Sequence, residues 1–259
     1  MELAAVDRGE GQAALLLHGQ PGSGTDLSAL ARELEPRMRV IVPDRPGYGS
    51  TGGEPAGFGD NARQVVALLD RLELRSAVLA GQSWGAGVAL AVARVAPERV
   101  DGLALISPVS PTARLGPLDR LFAQPVLGPP LLRAGFGLVV HSLSLTPIRR
   151  LAARALPYDD LLATAAAWSA STVWRSFFVE QRALLDELPS LAGALGSIET
   201  QTTVLVGTRD RIAGPDQAEA LAMALPKARF VSVPRAGHLL PQLCPQLVAA
   251  EIQALGTRH

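Results

Sequence analysis

Gly81-Gln82-Ser83-Trp84-Gly85 is the stretch of this sequence best suited to chemistry. An apolar run, Ser76–Ala80, precedes it, and an Ala- and Val-rich run, Ala86–Val95, follows. The pattern reads as a tight turn from a buried strand into a helix. Glycines two residues either side of the serine let neighbouring backbone pass close by. The hydroxyl of Ser83 then stands at a helix start, where free N–H groups and the helix dipole favour developing negative charge. A serine hydroxyl is a poor nucleophile near neutral pH, so it needs a base within reach. The chain has 4 histidines. His238, in Arg235-Ala236-Gly237-His238-Leu239, directly follows the last strand-like run and is the candidate base. His259 is the final residue, His18 belongs to a turn and reads as structural, and His141 lies in an apolar stretch. The base in turn needs a carboxylate to orient it. Asp210 closes Leu205-Val206-Gly207-Thr208-Arg209-Asp210, just after another strand-like run. The stretch after the preceding strand, Ser107-Pro108-Val109-Ser110, holds no carboxylate. Ser83 as nucleophile, His238 as base and Asp210 as orienting acid would carry out acyl transfer.

A nucleophile of this kind also needs donors for the oxyanion. His18-Gly19-Gln20-Pro21-Gly22 follows the first apolar run and could turn the backbone N–H of Gln20 towards it, with the N–H of Trp84 as the second donor. Asp44-Arg45-Pro46-Gly47-Tyr48-Gly49 reads as a turn packed beside Ser83, without a catalytic role for Asp44. Cys244 reads as a small buried hydrophobe.

The elements that must position these residues alternate along the chain. Strands are predicted at Ala13–Leu17, Arg39–Val42, Ser76–Ala80, Val100–Ile106, Thr203–Val206 and Arg229–Val233. Helices are predicted at Asp26–Leu34, Phe58–Leu72 (capped by Asp60 or Asn61), Ala86–Val95, Gln217–Leu225 and Gln246–Leu255. Continuous apolar strands separated by helices imply a parallel sheet covered on both faces. The alternation lapses from about Pro108 to Thr202, where helical periodicity and several prolines replace it. This reads as a helical insertion over the carboxyl ends of the strands, where open α/β sheets bind ligands. Within it, Trp168, Trp174, Phe177 and His141 are the candidate substrate-binding residues. Its aromatic and aliphatic content fits a largely apolar substrate and equally fits the insertion's own core. Its acids, Asp159, Asp160, Glu180, Asp186 and Glu187, read as solvated.

Bulk properties exclude some roles. Lys and Arg number 24, as do Asp and Glu, so the formal charge is zero. No field or basic run would draw in nucleic acid or an anionic membrane. With Cys244 the sole cysteine, no internal disulfide can form. The N-terminus lacks a basic region followed by an apolar stretch, and the most apolar later run, Pro129 to Pro147, is interrupted by Arg133 and His141. It is shorter than the roughly 20 residues of a membrane-spanning helix. A cytoplasmic location with no membrane span is expected. Nothing distinguishes a monomer from a homodimer.

The order Ser83, Asp210, His238, together with HGQPG at His18–Gly22, DRPGYGS at Asp44–Ser50, GQSWGA at Gly81–Ala86 and the Ala-Gly-His ending at His238, resembles the α/β-hydrolase superfamily over essentially the whole chain. Small single-chain members with a helical cap are the most similar. The resemblance implies an α/β-hydrolase fold: a mostly parallel sheet flanked by helices, with residues 1–107 and 203–259 as core and 108–202 as cap. It also implies hydrolysis of an ester or related acyl bond of a small molecule, with no metal or organic cofactor. Gly-Gln-Ser-Trp-Gly is similar to proline iminopeptidases, which usually have HGGPG where this chain has Gln20. DRPGYG with Trp84 is also similar to epoxide hydrolases and haloalkane dehalogenases. Those use an aspartate nucleophile, so Ser83 argues against both reactions. Carbon–carbon bond hydrolysis or proline-iminopeptidase-like peptide hydrolysis by the same triad, cofactor-free peroxidation and a non-enzymatic binding role are the alternatives.

Overall fold

The computed structural model describes residues 2–112, 115–155, 168 and 172–256. Its elements run β1 (Ala5–Arg8), β2 (Ala13–Leu17), α1 (Ser28–Leu34), β3 (Arg39–Pro43), α2 (Phe58–Arg71), β4 (Ala77–Gln82), α3 (Trp84–Val95) and β5 (Val100–Ile106). Among the described residues five helices follow: α4 (Pro117–Phe122), α5 (Gly128–Ser144), α6 (Thr146–Ala155), α7 (Val173–Asp186) and α8 (Leu188–Ala194). The chain closes with β6 (Thr202–Gly207), α9 (Pro215–Ala224), β7 (Ala228–Val233), α10 (Leu240–Leu243) and α11 (Pro245–Gly256). Asp159 and Asp160 lie outside the described residues.

The 7 strands form one sheet in the order β1-β3-β2-β4-β5-β6-β7. Every pairing is parallel except β1 with β3. The central strands are buried along their length, as their unbroken apolar runs require. Alternate residues serve opposite faces, because side chains project with period two. Leu15 and Leu17 join Val88, Val92 and Leu68 on one side. Leu16, Val40 and Val78 meet Leu30, Leu34, Val248 and Ile252 on the other. Strand β1 carries no apolar alternation and is exposed throughout, so its pairing with the sheet edge left no signal in its residues.

Helix α2 begins at Phe58 as expected, but its N-cap is Gly57 rather than Asp60 or Asn61. The buried Asn61 amide instead donates to the carbonyls of Ala56 and Gly57, each at 2.9 Å. Helix α3 begins at Trp84, two residues before the expected Ala86, so the turn bearing Ser83 has no slack.

Register brings the strand ends together. Leu17 pairs with Gly81, Gln82 with Ile106, Ile106 with Leu205, and Gly207 with Val233. The loops carrying Gln20, Ser83, Asp210 and His238 therefore leave the sheet at one rim.

Candidate active site

Ser83 has φ 52° and ψ −116°, a conformation that side chains rarely adopt. The fold holds it there from both sides. The Ser83 N–H donates to the Ile106 carbonyl at 2.9 Å, and its own carbonyl takes the N–H of Ala86 and Val109, each at 3.1 Å. The two flanking glycines are steric necessities. A Cβ on Gly81 would lie 2.3 Å from the Gly85 carbonyl oxygen, and one on Gly85 would lie 2.3 Å from that of Leu17. The strand-to-helix turn is thus compressed until only hydrogen fits.

Asp210 is buried after β6. One carboxylate oxygen, Oδ1, accepts the N–H groups of Ile212 and Ala213 at 2.9 and 3.0 Å. The other, Oδ2, stands 2.9 Å from Nδ1 of His238. Burial pushes the Asp210 carboxyl up, but the hydrogen bond and charge of His238 and the N–H groups of Ala213 and Ile212 outweigh it. The carboxyl is held below its ordinary value and stays ionised. With a carboxylate on Nδ1, the imidazole keeps that proton, which leaves Nε2 as the basic nitrogen.

Ser83 and His238 line one cavity of about 770 Å³ at this rim. Gln20 and Trp84, expected to supply oxyanion donors, line it too. Trp84 opens α3, where the first N–H groups have no partner within the helix. Its indole is buried, stacked on Phe58 at 4.1 Å between centroids, and Nε1 has no partner among the described residues.

The helices between β5 and β6 also contribute to the wall. Phe177, Gln181 and Leu184 of α7 face the cavity together, spaced as one helix face requires, and Trp168 joins them. Phe136 of α5 packs edge-on against both Trp168 and Phe177. Two of the expected substrate-binding residues lie elsewhere. His141 is exposed. It sits five residues beyond Phe136, which rotates it about 140° around the helix and onto the outer face. Trp174 is half-buried and lies one turn before the lined part of α7, outside the cavity wall. Cys244 is half-buried rather than buried.

Glu180 corrects the expectation of a solvated acid. It is 1% exposed, and it pairs through Oε1 with Arg45 and through Oε2 with the Tyr48 hydroxyl at 2.6 Å. Burial raises its carboxyl above the ordinary value despite the Arg45 charge. Sequence reasoning missed this cluster, although one signal was present. Glu180 shares a helical face with Phe177 and Leu184, where a lone acid needs a buried partner. His18 is buried, as its structural reading expects. Burial, then the Arg45 charge, hold its imidazole well below the ordinary value. It is neutral, donating from Nδ1 to the Gly19 carbonyl at 2.9 Å and accepting the Arg45 N–H on Nε2 at 3.0 Å.

Among the described residues no cluster of His, Cys, Asp or Glu could hold a metal ion, and no helix is long and apolar enough to cross a membrane.

Comparison with known proteins gives a consistent picture. The sequence model of the alpha/beta hydrolase family matches residues 14–251. Haloalkane dehalogenase 2 of Mycobacterium tuberculosis is 27% identical over 256 residues, covering 95% of this chain and 88% of that protein. The 2-hydroxy-6-oxo-6-phenylhexa-2,4-dienoate hydrolase of Burkholderia cepacia is 28% identical over 254 residues, covering 90% and 83%. Among solved structures, a thermophilic esterase from Thermogutta terrifontis superposes with a TM-score of 0.79 at 28% identity, covering 97% of this chain and 92% of that one.

Proposed function

Because this chain belongs to the alpha/beta hydrolase family, we propose that it is a serine esterase, acting on a small uncharged carboxylic ester through Ser83, His238 and Asp210. One observation carries the reading. The imidazole of His238 is held 2.9 Å from a buried, ionised Asp210 in a loop that lines the same cavity as the strained Ser83.

Nε2 of His238 takes the hydroxyl proton as Oγ of Ser83 attacks the ester carbonyl. The N–H groups of Gln20 and Trp84 receive the oxyanion. The tetrahedral adduct collapses as His238 returns the proton to the departing alcohol, leaving an acyl group on Ser83. A water molecule, deprotonated by the same nitrogen, attacks the acyl carbonyl. The carboxylic acid leaves and Oγ recovers its proton. Asp210 holds the imidazole tautomer and stabilises its charged form throughout.

Two relatives suggest other reactions, and chemistry ranks them lower. Displacement of a halide by Ser83 would leave a dialkyl ether, which offers water no carbonyl to attack, so turnover would stop. The hydrolase of Burkholderia cepacia is named for a dienoate, an anion. Here the described lining of the cavity contains no Lys or Arg and does contain Asp26 and Asp119, which disfavours an anion.

The test is labelling with a fluorophosphonate and turnover of short p-nitrophenyl esters. Both should occur in the native chain and vanish in Ser83→Ala. Turnover of a vinylogous diketone acid without ester turnover would move the assignment to carbon–carbon hydrolysis. Absence of labelling at Ser83 would remove the serine mechanism altogether.

A further inference from the structure

Arg45 is 1% exposed, yet it makes contacts in several directions. Its Nε donates to the His18 carbonyl at 3.0 Å, one terminal nitrogen donates to the Gly19 carbonyl at 2.8 Å, and the other pairs with Glu180 of α7. Its guanidinium carbon lies 4.5 Å above the Trp84 ring. Arg45 is absent from the cavity wall, so any influence it has on a reaction there passes through other groups.

The Gly19 carbonyl belongs to the same peptide unit as the Gln20 N–H. A trans peptide is planar, and its C=O and N–H point in opposite directions. Fixing the oxygen therefore fixes the direction of the N–H. That peptide lies against the nucleophile, since a Cβ on Gly19 would be 3.2 Å from Cβ of Ser83 and 3.9 Å from its Oγ. A cation on the carbonyl oxygen also polarises the peptide and makes its N–H a better donor.

We propose that Arg45 is a positioning residue for the oxyanion site: it holds the Gly19–Gln20 peptide so that the Gln20 N–H faces Ser83, and Glu180 aims the guanidinium that does so. This rests on the serine-esterase reading above. The arrangement links the helices between β5 and β6 to the reacting centre, because Glu180 rides on the helix whose Phe177, Gln181 and Leu184 line the cavity. A buried ion pair contributes little net stability once desolvation is counted. The observed geometry serves the placement of the two carbonyls.

The informative variant is Arg45→Lys, which keeps the charge but lacks the planar fork needed to reach both carbonyls and Glu180 together. The kcat and KM for a p-nitrophenyl ester are measured per active site, counted by exhaustive fluorophosphonate labelling. Inhibition by a trifluoromethyl ketone, whose hemiketal adduct with the serine carries the oxyanion, is measured beside them. Positioning predicts that kcat falls about 10²-fold, the scale of a lost oxyanion donor. KM should stay within about threefold, and ketone affinity should weaken in step with kcat/KM. A purely structural role would lower the melting temperature and leave kcat per labelled site within about threefold of the native value, which overturns the proposal. Glu180→Gln tests the same point if Arg45→Lys does not fold. It retains both carbonyl bonds but weakens the hold on the guanidinium, and a loss of about tenfold in kcat is expected. An unchanged kcat there is equally fatal. If the native chain neither labels nor turns over esters, the esterase reading fails and takes this role with it. An active native enzyme with fully active variants defeats the positioning role alone.

Discussion

His238 and Asp210 meet across 2.9 Å between Nδ1 and Oδ2, while the other carboxylate oxygen is occupied by the N–H groups of Ile212 and Ala213. Asp210 cannot rotate freely, because turning it would break two backbone bonds. The imidazole is therefore held by an acid that is itself held, and its orientation belongs to the loop after β6 rather than to the side chain alone.

Asp210→Asn should keep the fold and lose the tautomer. An amide can donate to Nδ1 and leave the proton on Nε2, the nitrogen that must be basic. In the serine protease template the same exchange costs on the order of 10⁴ in kcat. A loss of comparable scale is expected here for a p-nitrophenyl ester, with KM nearly unchanged. Retention of more than about a tenth of native kcat would separate Asp210 from the mechanism.

The two glycines flanking the nucleophile turn predict a large cost in stability. Gly85→Ala puts a methyl 2.3 Å from the Leu17 carbonyl oxygen, which is backbone inside a parallel sheet and cannot move cheaply. A destabilisation of about 2 kcal/mol or more is expected, in the range of overpacked cores. Denaturant unfolding measures it. A midpoint equal to that of the native chain would mean that the turn is looser than its geometry.

How much of this was legible in the residues differs from place to place. The strand-to-helix turn at Ser83 was legible because its constraint is local, with glycines at fixed spacing between two apolar runs. The placement of Asp210 and His238 at that rim was legible because each directly follows a strand, and parallel strands end at one rim. The edge strand Ala5–Arg8 was not, since an exposed edge needs no apolar pattern. Glu180 was misread for another reason. Its partner Arg45 is 135 residues away in sequence, and only the folded chain brings the two together. His141 was misplaced because apolar surroundings in sequence do not say which face of α5 turns inward.

The cavity wall makes a paired prediction about substrate. Phe177 lines the same cavity as Ser83 and is braced by Phe136, whereas His141 is exposed on the far side of α5. Phe177→Ala should raise KM for long or aromatic acyl esters by about tenfold, as expected for the loss of a buried aromatic contact, and should affect acetyl esters less. His141→Ala should leave both unchanged. A matching effect of the two substitutions would mean that α5 and α7 are seated differently during turnover.

Asp210 also contributes to the acid limb of stability. Its carboxyl gives up its proton more readily in the folded chain than in the unfolded one, whose ordinary value is 3.8. Between the two values the unfolded state binds more protons, so stability rises with pH in that window. The contribution is fully present above the unfolded value and disappears as pH falls through the lower folded value. Native and Asp210→Asn proteins should therefore differ in melting temperature at about pH 6, and the gap should narrow progressively as pH falls below 3.8. The Asn side chain cannot titrate, so whatever acid sensitivity it retains comes from other carboxyls. A gap that stays constant across the window would mean that the His238 contact and the two N–H bonds do not favour the ionised acid in solution, and the orienting role of Asp210 would lose its electrostatic basis.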